Sequence, residues 1–364
     1  MVTIKDLAKA AGVSPAAVSK ALHGHPDISQ ATRQRILALA AEMNYRPNVL
    51  ARSLVKQRTT TLGLFVLSRG SEGFLGQFAG PIIGGLMDCA TAYGYDIVLF
   101  STPGNGPARG LDADGTAGGE PPASPPPVSH VSYLDLCRER QVEGALILGL
   151  RLDDPALPEL RESPIPLVLH DVALTGPHVS CIGCDNSHST FEAVSFLLKL
   201  GHRRIGFING HAQAAVSRER LEGYRQALQA FGVEPDPCLE AAGDFSQESG
   251  YRAAAALLEL RPRPTALMAA SDLMAIGALE ALRVQALRVP EDVSLVGFDD
   301  IPAAQHLQPP LTTVRQDRYQ TGWLAGKTLI EATQGKMVPA RIVVPAQLVI
   351  RQSTASPAAE ARST

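Results

Sequence analysis

The sequence predicts a small all-α domain followed by a larger α/β core with parallel sheets in two lobes. Helical periodicity with capping residues marks the first part of the chain, and short apolar runs alternate with helix-like segments from Thr61 onward. The net charge also changes sign at this point. Residues 1–60 contain nine Lys and Arg residues but only three Asp and Glu residues. That part carries +6 while the whole chain carries −3, so the two parts are predicted to have different tasks.

The first domain, residues 1–46, begins with two short helices joined by a tight turn. Thr3 can cap the first helix in a box with Asp6, and Gly12 ends it. Ser14 then caps a second helix with Pro15 at its first position, where the missing N–H costs nothing. The spacing therefore predicts a turn between two helices.

The second helix is predicted to turn its small and basic residues outward. Val18, Ala21 and Leu22 can pack on the first helix, which leaves an outer face of Pro15, Ala16, Ser19 and Lys20. A third helix follows the cap Ser29, with an apolar stripe of Ile36, Leu39, Ala40 and Met43. This pattern is typical of a helix-turn-helix, whose outer face fits a DNA groove. A small helical domain with no nucleic-acid role is the alternative, but the +6 charge favours a polyanionic partner.

Composition and cysteine usage limit the class of protein. The chain has 364 residues, 45% of them hydrophobic, no apolar signal segment and no run of eighteen apolar residues, so we expect a cytoplasmic protein that neither spans nor crosses a membrane. Five cysteines without regular spacing argue against a disulfide framework. Cys181 and Cys184 form a CxxC pair that lies in an apparent strand and lacks two further metal ligands, so reduced packing cysteines are favoured over a zinc or redox site.

The second part of the chain alternates strands with helices. Apolar runs predict strands at 62–67, 96–100, 144–148, 166–169, 204–208, 265–269 and 293–298, and helical patterns lie at 82–93, 190–200, 218–230 and 273–282. Strands that are apolar on both faces are typical of parallel sheets covered by helices, and about 290 residues favour two lobes. Residues 101–131 are rich in Gly, Pro, Ala and Ser and are predicted to be a disordered insertion, and residues 353–364 a frayed tail.

The N-terminal residues resemble the DNA-binding headpiece of the lac repressor family. The resemblance runs from Thr3-Ile4-Lys5-Asp6-Leu7-Ala8 to Asn44-Tyr45-Arg46-Pro47-Asn48 and continues in Leu50-Ala51-Arg52-Ser53-Leu54. It implies that the second helix enters the major groove, and that residues 47–60 form a hinge helix and linker whose leucine wedges into the minor groove. The DNA-binding residues that it implies are Thr3, Ser14, Pro15, Ala16, Ala17, Ser19, Lys20, His23, Asn48, Ala51, Arg52 and Leu54.

The rest of the chain is similar to the effector-binding core of the same family. The landmarks are Gly201-His202-Arg203-Arg204-Ile205-Gly206, Arg220-Leu221-Glu222-Gly223-Tyr224, Val296-Gly297-Phe298-Asp299-Asp300 and Pro310-Leu311-Thr312-Thr313-Val314. They imply a two-lobed fold like that of periplasmic sugar-binding proteins over residues 61–352, which also dimerises, with three crossings and a cleft at the carboxyl ends of the strands. The effector positions that the resemblance implies are Phe78, Asp171, Arg220, Phe245, Ser271, Asp299 and Gln316.

Carboxylates, an arginine and an amide beside aromatic rings suit a sugar, whose hydroxyls need paired donors and acceptors. Alternatives remain at single positions. One alternative is that Asp299 with Asp300 caps a turn. The others are that Arg220 pairs with Glu219 or Glu222 and that either phenylalanine belongs to the core.

The sequence thus predicts a DNA-binding transcriptional regulator, a repressor, whose affinity for operator DNA is controlled by a small ligand, most simply a sugar. We expect a homodimer on a pseudo-palindromic operator, with no cofactor, no metal and no membrane partner. No nucleophile elbow, Walker loop or HExxH motif occurs, so an enzyme is not expected. A helix-turn-helix head fused to a sugar-modifying enzyme and a purine-responsive regulator of the same family are the alternatives.

Overall fold

The computed structural model describes residues 2–22, 24–45, 58–67, 74–100 and 132–357. The chain divides into two compact units, Met1–Thr60 and Thr61–Thr364. Along the described residues, no helix combines the length and apolar character that crossing a membrane requires.

The described residues of the first unit form three helices: α1 (Ile4–Ala11), α2 (Pro15–Leu22) and α3 (Gln30–Glu42). The predicted caps are confirmed. Thr3 and Asp6 form a complete capping box at α1, and Gly12 ends that helix with a φ of 63°. The Oγ of Ser14 accepts a hydrogen bond from the N–H of Ala17 at 3.2 Å, and Ser29 does the same for α3. Local side chains therefore fix where each helix begins.

A small apolar core holds these helices together. Its buried members come from all three helices and are Leu7, Ala8, Ala11, Val18, Ala21 and Ile36. Leu39, Ala40 and Met43, the rest of the predicted α3 stripe, pack against it half-buried. Small residues on α1 and α2 let the two helices approach closely, as a helix-turn-helix requires.

The second unit begins with alternating strands and helices that build most of the first lobe. These elements are β1 (Thr61–Val66), a π-helical turn (Phe74–Ala79), α4 (Gly80–Ala92), β2 (Asp96–Phe100), α5 (Tyr133–Glu139), β3 (Gly144–Leu148), α6 (Leu157–Arg161), β4 (Leu167–His170) and β5 (Val179–Gly183).

The second lobe follows in the same alternating style. Its elements are α7 (Asn186–Lys199), β6 (Ile205–Asn209), α8 (Ala215–Ala230), β7 (Glu240–Ala242), α9 (Gln247–Glu259), β8 (Ala266–Ala269), α10 (Asp272–Val284), β9 (Ser294–Asp299) and β10 (Thr312–Gln316), with short 3-10 turns at Pro237–Leu239 and Pro302–His306. The chain then returns to the first lobe with α11 (Arg318–Thr333) and β11 (Arg341–Val343), and ends in the second lobe with β12 (Ala346–Val349).

Each lobe is a six-stranded sheet covered by helices. The strand orders are β11-β5-β4-β3-β1-β2 and β12-β10-β9-β8-β6-β7, and every pair is parallel except β10 with β12. The chain therefore crosses between lobes three times, after β5, after β10 and after β11, as predicted. All seven predicted strands are present. The sequence patterns missed strands β7, β10, β11 and β12 and helices α5, α6, α9 and α11.

The predicted frayed tail is wrong for residues 353–355. Ser353 is 1% exposed, donates a hydrogen bond to the Leu295 carbonyl at 2.6 Å and accepts one from the N–H of Thr312 at 2.8 Å. The Ala355 carbonyl lies 2.9 Å from Nε2 of His202. These residues are therefore held at the amino ends of β9 and β10 by polar partners that apolar patterning does not reveal. The predicted insertion at 101–131 and residues 358–364 lie outside the described residues.

Candidate DNA-binding surface and ligand cleft

Helix α2 presents the outer face that its sequence predicts. Pro15, Ala16 and Lys20 are exposed, whereas Val18 and Ala21 are fully buried. Ala17 and Ser19 are half-buried at the edge of that face. The exposed surface is therefore small and apolar near the start of the helix and basic near its end, which suits close approach to a groove.

Two of the predicted DNA-binding hydroxyls also serve as helix caps. The Thr3 hydroxyl contacts the Asp6 carboxylate at 2.7 Å, and Ser14 caps α2. Both residues are exposed. His23, Asn48, Ala51, Arg52 and Leu54 lie outside the described residues.

In the second unit, Arg220, Asp299 and Gln316 come together at the carboxyl ends of the second lobe's strands. Gln316 Nε2 donates a hydrogen bond to Asp299 Oδ1 at 2.8 Å, and Arg220 Nη1 lies 4.0 Å from the same oxygen. All three side chains are buried. They combine a cation, a carboxylate and an amide in one place, which is the donor and acceptor set that a polyhydroxylated ligand needs.

Arg220 is fixed by its neighbours rather than by a glutamate of its own helix. Its Nε donates to Asn186 Oδ1 at 2.9 Å, its Nη1 donates to the Ala270 carbonyl at 2.5 Å, and its guanidinium lies 3.6 Å from the centroid of the Phe298 ring. Stacking and hydrogen bonds together orient a planar guanidinium strongly. The side chain is therefore preorganised toward Asp299.

Opposing effects act on the carboxyl group of Asp299 in this cluster. Burial raises the pKa of its carboxyl to about 6, against the lowering effects of Arg220 and of the Gln316 hydrogen bond. Its backbone adopts a φ of 116°, a conformation that costs free energy and that concentrates at functional sites. The adjacent Asp300 instead binds two arginines, Arg315 and Arg351, each at 2.6 Å. The two neighbouring carboxylates therefore have separate partners.

Two further predicted residues, Asp171 and Phe78, lie together in the first lobe. Asp171 follows β4 with a φ of 59°, and its Oδ1 is a buried atom without a hydrogen-bond partner. The neighbouring His170 contacts Asp171 Oδ2 at 3.2 Å and meets the Phe78 ring edge-on at 5.9 Å. An unpaired buried carboxylate oxygen is costly, so this group is well placed to accept a hydrogen bond from a ligand.

The aromatic ring of Phe245 packs against Gly210 and His211 in the second lobe. Its ring lies on the backbone of Gly210, where a Cβ would come within 2.0 Å of Phe245 Cζ. The edge of His211 flanks the ring at 5.6 Å, and burial lowers the pKa of that histidine. Glycine at 210 is therefore what permits the ring position.

Ser271, one of the predicted effector residues, is the N-cap of a helix. Its Oγ accepts a hydrogen bond from the N–H of Met274 at 3.2 Å and caps α10. The next residue, Asp272, is fully buried, accepts from Ile301 N–H at 2.8 Å and from the Thr313 hydroxyl at 2.5 Å, and has a pKa raised well above its usual value by burial. These residues brace the strand ends that carry Asp299 and Gln316.

Sequence reasoning missed three polar residues beside the cleft. Asn186, the first residue of α7, bridges Arg220 and Glu219, with its Nδ2 donating to Glu219 Oε2 at 2.9 Å. Burial raises the pKa of Glu219. Arg318, which begins α11, donates to the carbonyls of Gln77 and Asp300. Asn186 and Arg318 each lie immediately after a crossing between lobes. Their place in the chain is therefore the signal that could have identified them from the sequence.

Comparisons with known proteins agree with this two-part architecture. Residues 3–48 match the family model described as bacterial regulatory proteins, lacI family, and residues 194–354 match a periplasmic binding protein-like domain. The chain is 34% identical to the HTH-type transcriptional regulator CelR of Thermobifida fusca, covering 96% of this chain and 98% of that protein. It is 35% identical to the HTH-type transcriptional repressor CytR of Escherichia coli K12, covering 97% and 96%.

Solved structures also match this two-part architecture over nearly the whole chain. A lac repressor dimer bound to operator and the anti-inducer ONPF superposes with a TM-score of 0.79 at 28% identity, covering 97% of this chain and 99% of that one. A CelR–cellobiose complex matches with a TM-score of 0.68 at 32% identity, covering 97% and 100%.

A helix-turn-helix unit joined to a two-lobed binding core defines a ligand-responsive transcriptional regulator. A regulator of this class uses one surface to bind DNA and another to bind its ligand. The chain belongs to the lacI family of bacterial regulatory proteins.

Proposed function

We propose that this regulator is a repressor that binds a pseudo-palindromic operator as a homodimer. Helix α2 enters the major groove with Pro15, Ala16 and Lys20 toward the bases, and residues 47–60 form the hinge that orders on DNA. The similarity to a lac repressor dimer on its operator supports this proposal. Repression follows because a bound dimer blocks transcription at the operator.

The ligand of the cleft is a sugar. The observation that carries this assignment is the buried group of Arg220, Asp299 and Gln316, in which a cation and an amide lie within 4.0 Å of the same carboxylate oxygen. Asp171 adds an unpaired acceptor from the other lobe, and Phe245 and Phe78 add rings on which the C–H face of a sugar can pack. The solved complex of the related CelR with cellobiose supports the same ligand class.

Ligand and operator are coupled through the lobes. A ligand that binds one arrangement of the lobes more tightly shifts the population toward it, and this change favours or disfavours the ordered hinge. Reciprocity requires the operator to change ligand affinity by the same factor. We also propose that the protein is not an enzyme and that it acts in the cytoplasm.

The test uses the full chain and two measurements. A thermal-shift screen covers mono- and disaccharides including cellobiose, sugar phosphates and nucleobases, since a ligand that binds the folded state raises its melting temperature. Any stabilising compound is then added to the chain bound to DNA selected from a random duplex library. We expect a sugar both to stabilise the protein and to change DNA affinity, and Arg220→Met to abolish both effects.

Stabilisation only by a nucleobase would replace the sugar assignment with the purine alternative. Turnover of a stabilising sugar would favour the enzyme alternative. Failure to select any DNA sequence would contradict the repressor assignment itself.

A further inference from the structure

We infer that Asp27 is a positioning residue for Lys20 and sets the selectivity with which the recognition helix reads DNA. The inference rests on the proposed binding of α2 in the major groove. Asp27 is an acidic side chain beside a surface whose proposed partner is a polyanion. A negative charge there would only weaken binding if it had no further role.

The contact between the two side chains is direct. Lys20 Nζ lies 2.9 Å from Asp27 Oδ2. His25 Nδ1 lies 3.3 Å from the same oxygen. The lysine hydrogen bond and, less strongly, the histidine hold the pKa of Asp27 below its usual value. The carboxylate therefore stays charged throughout the neutral range and remains available as an anchor.

The loop that carries Asp27 is tied to the end of the recognition helix. The N–H of His25 donates to the carbonyl of Lys20 at 3.0 Å, and the N–H of Ile28 donates to the carbonyl of His25 at 3.3 Å. Ile28 packs against the apolar core of the unit, and Ser29 caps α3 directly afterward. The backbone thus holds the carboxylate at a defined place relative to the lysine.

Lys20 needs such an anchor more than an arginine would. Its ammonium is a point charge on a flexible four-carbon stem, with no planar fork to match a base edge. The other exposed residues of the α2 face, Pro15 and Ala16, have no hydrogen-bonding side chain, so selectivity by hydrogen bonding from these three positions depends on where the lysine points. A carboxylate 2.9 Å away restricts the ammonium and leaves its remaining N–H groups free to donate to guanine O6 or N7.

Removal of Asp27 would have two consequences that can be separated. Loss of a negative charge raises affinity for every duplex by a similar factor, because phosphates are present in all of them. Loss of the anchor lowers only the preference for the correct base. The ratio of affinities for preferred and altered duplexes therefore isolates the positioning effect.

The experiment uses the full chain and duplexes chosen by selection from a random library with the wild-type protein. Affinities for the preferred duplex, for duplexes with each base pair replaced and for a scrambled duplex are measured for wild type, Asp27→Asn, Lys20→Met and the double variant at one salt concentration. Glu42→Gln is the matched control, since it removes the same charge from an exposed position of the same unit. Asp27→Glu tests whether a restored carboxylate rescues selectivity.

We expect Asp27→Asn to tighten binding to scrambled DNA but to lower discrimination on the order of three- to tenfold at the base pair whose preference Lys20→Met abolishes. In the Lys20→Met background, Asp27→Asn should leave discrimination at that pair unchanged. Glu42→Gln should alter no preference, and Asp27→Glu should restore part of it.

Three results would overturn the inference. If Asp27→Asn raises the affinity for all duplexes by the same factor, Asp27 only repels DNA and does not position Lys20. An equal loss of discrimination with and without Lys20 would show that Asp27 acts independently of the lysine. If the wild type selects no sequence at all, the proposed function fails, and the role of Asp27 fails with it.

Discussion

Replacement of Asn186 by alanine should destabilise the second unit far more than an ordinary loss of one amide. Asn186 is 1% exposed and joins two charged groups, accepting from Arg220 Nε and donating to Glu219 Oε2, each at 2.9 Å. Hydrogen bonds to charged partners contribute about 1.5–3 kcal/mol each when buried. The Arg220 bond counts in full because that side chain is buried, and the Glu219 bond counts less because the carboxylate is half-exposed.

The expected loss of unfolding free energy is therefore about 2–4 kcal/mol. In a unit of about 300 residues, whose unfolding entropy is roughly 0.6 kcal/mol/K, it should lower the melting temperature by roughly 3–6 °C. Circular dichroism on heating, and urea unfolding at fixed temperature, would measure both quantities.

The control is Gln226→Ala on helix α8. Gln226 Nε2 donates to Glu222 Oε1 at 2.8 Å, so the variant removes the same kind of bond at an exposed position. Such a surface pair contributes about 0.5 kcal/mol or less. Equal effects of the two substitutions would refute the reasoning, because they would mean that burial and the link to Arg220 add nothing.

Two further predictions concern the cleft. Burial raises the pKa of Asp299 to about 6 from an unfolded value of 3.8, so ionisation of this carboxyl removes stability as pH rises through this window. Asp299→Asn should therefore gain about 2 kcal/mol relative to wild type between pH 4 and pH 7. Urea unfolding across that range measures the difference, and a difference independent of pH would contradict the assignment. Gly210→Ala should cost about 1–3 kcal/mol by driving its Cβ into the Phe245 ring, whereas Gly84→Ala, whose Cβ would meet nothing within 4 Å, should not destabilise. Urea midpoints compare the two glycines, and an unchanged midpoint for Gly210→Ala would show that the ring is free to move.

Local rules predicted the helical unit because its signals are local. Thr3, Gly12, Ser14 and Ser29 act within three or four residues of themselves, and each is found in its expected capping role. Buried strands were predicted for a similar reason, since a run that is apolar on both faces has few other stable places in a parallel sheet.

The patterns failed where stability comes from partners distant in sequence. The frayed tail was predicted because residues 353–355 lack apolar character, yet Ser353 is fixed by Leu295 and Thr312, each about forty to sixty residues away. Asn186 was missed because its importance comes from Arg220 and Glu219 on a different helix.

A series of two hydrogen bonds and one ion pair through the cleft gives a physical reason why a ligand there would affect the hinge between lobes. Asn186 begins the element after the first crossing, and Gln316 ends the strand before the second. Arg220 and Asp299 connect them through contacts of 2.9, 4.0 and 2.8 Å. A ligand hydroxyl that binds Arg220 or Asp299 must therefore compete with groups fixed to two crossings at once. Rigid packing makes such an element switch between discrete arrangements rather than deform gradually, so occupancy of the cleft and the angle between lobes should change together.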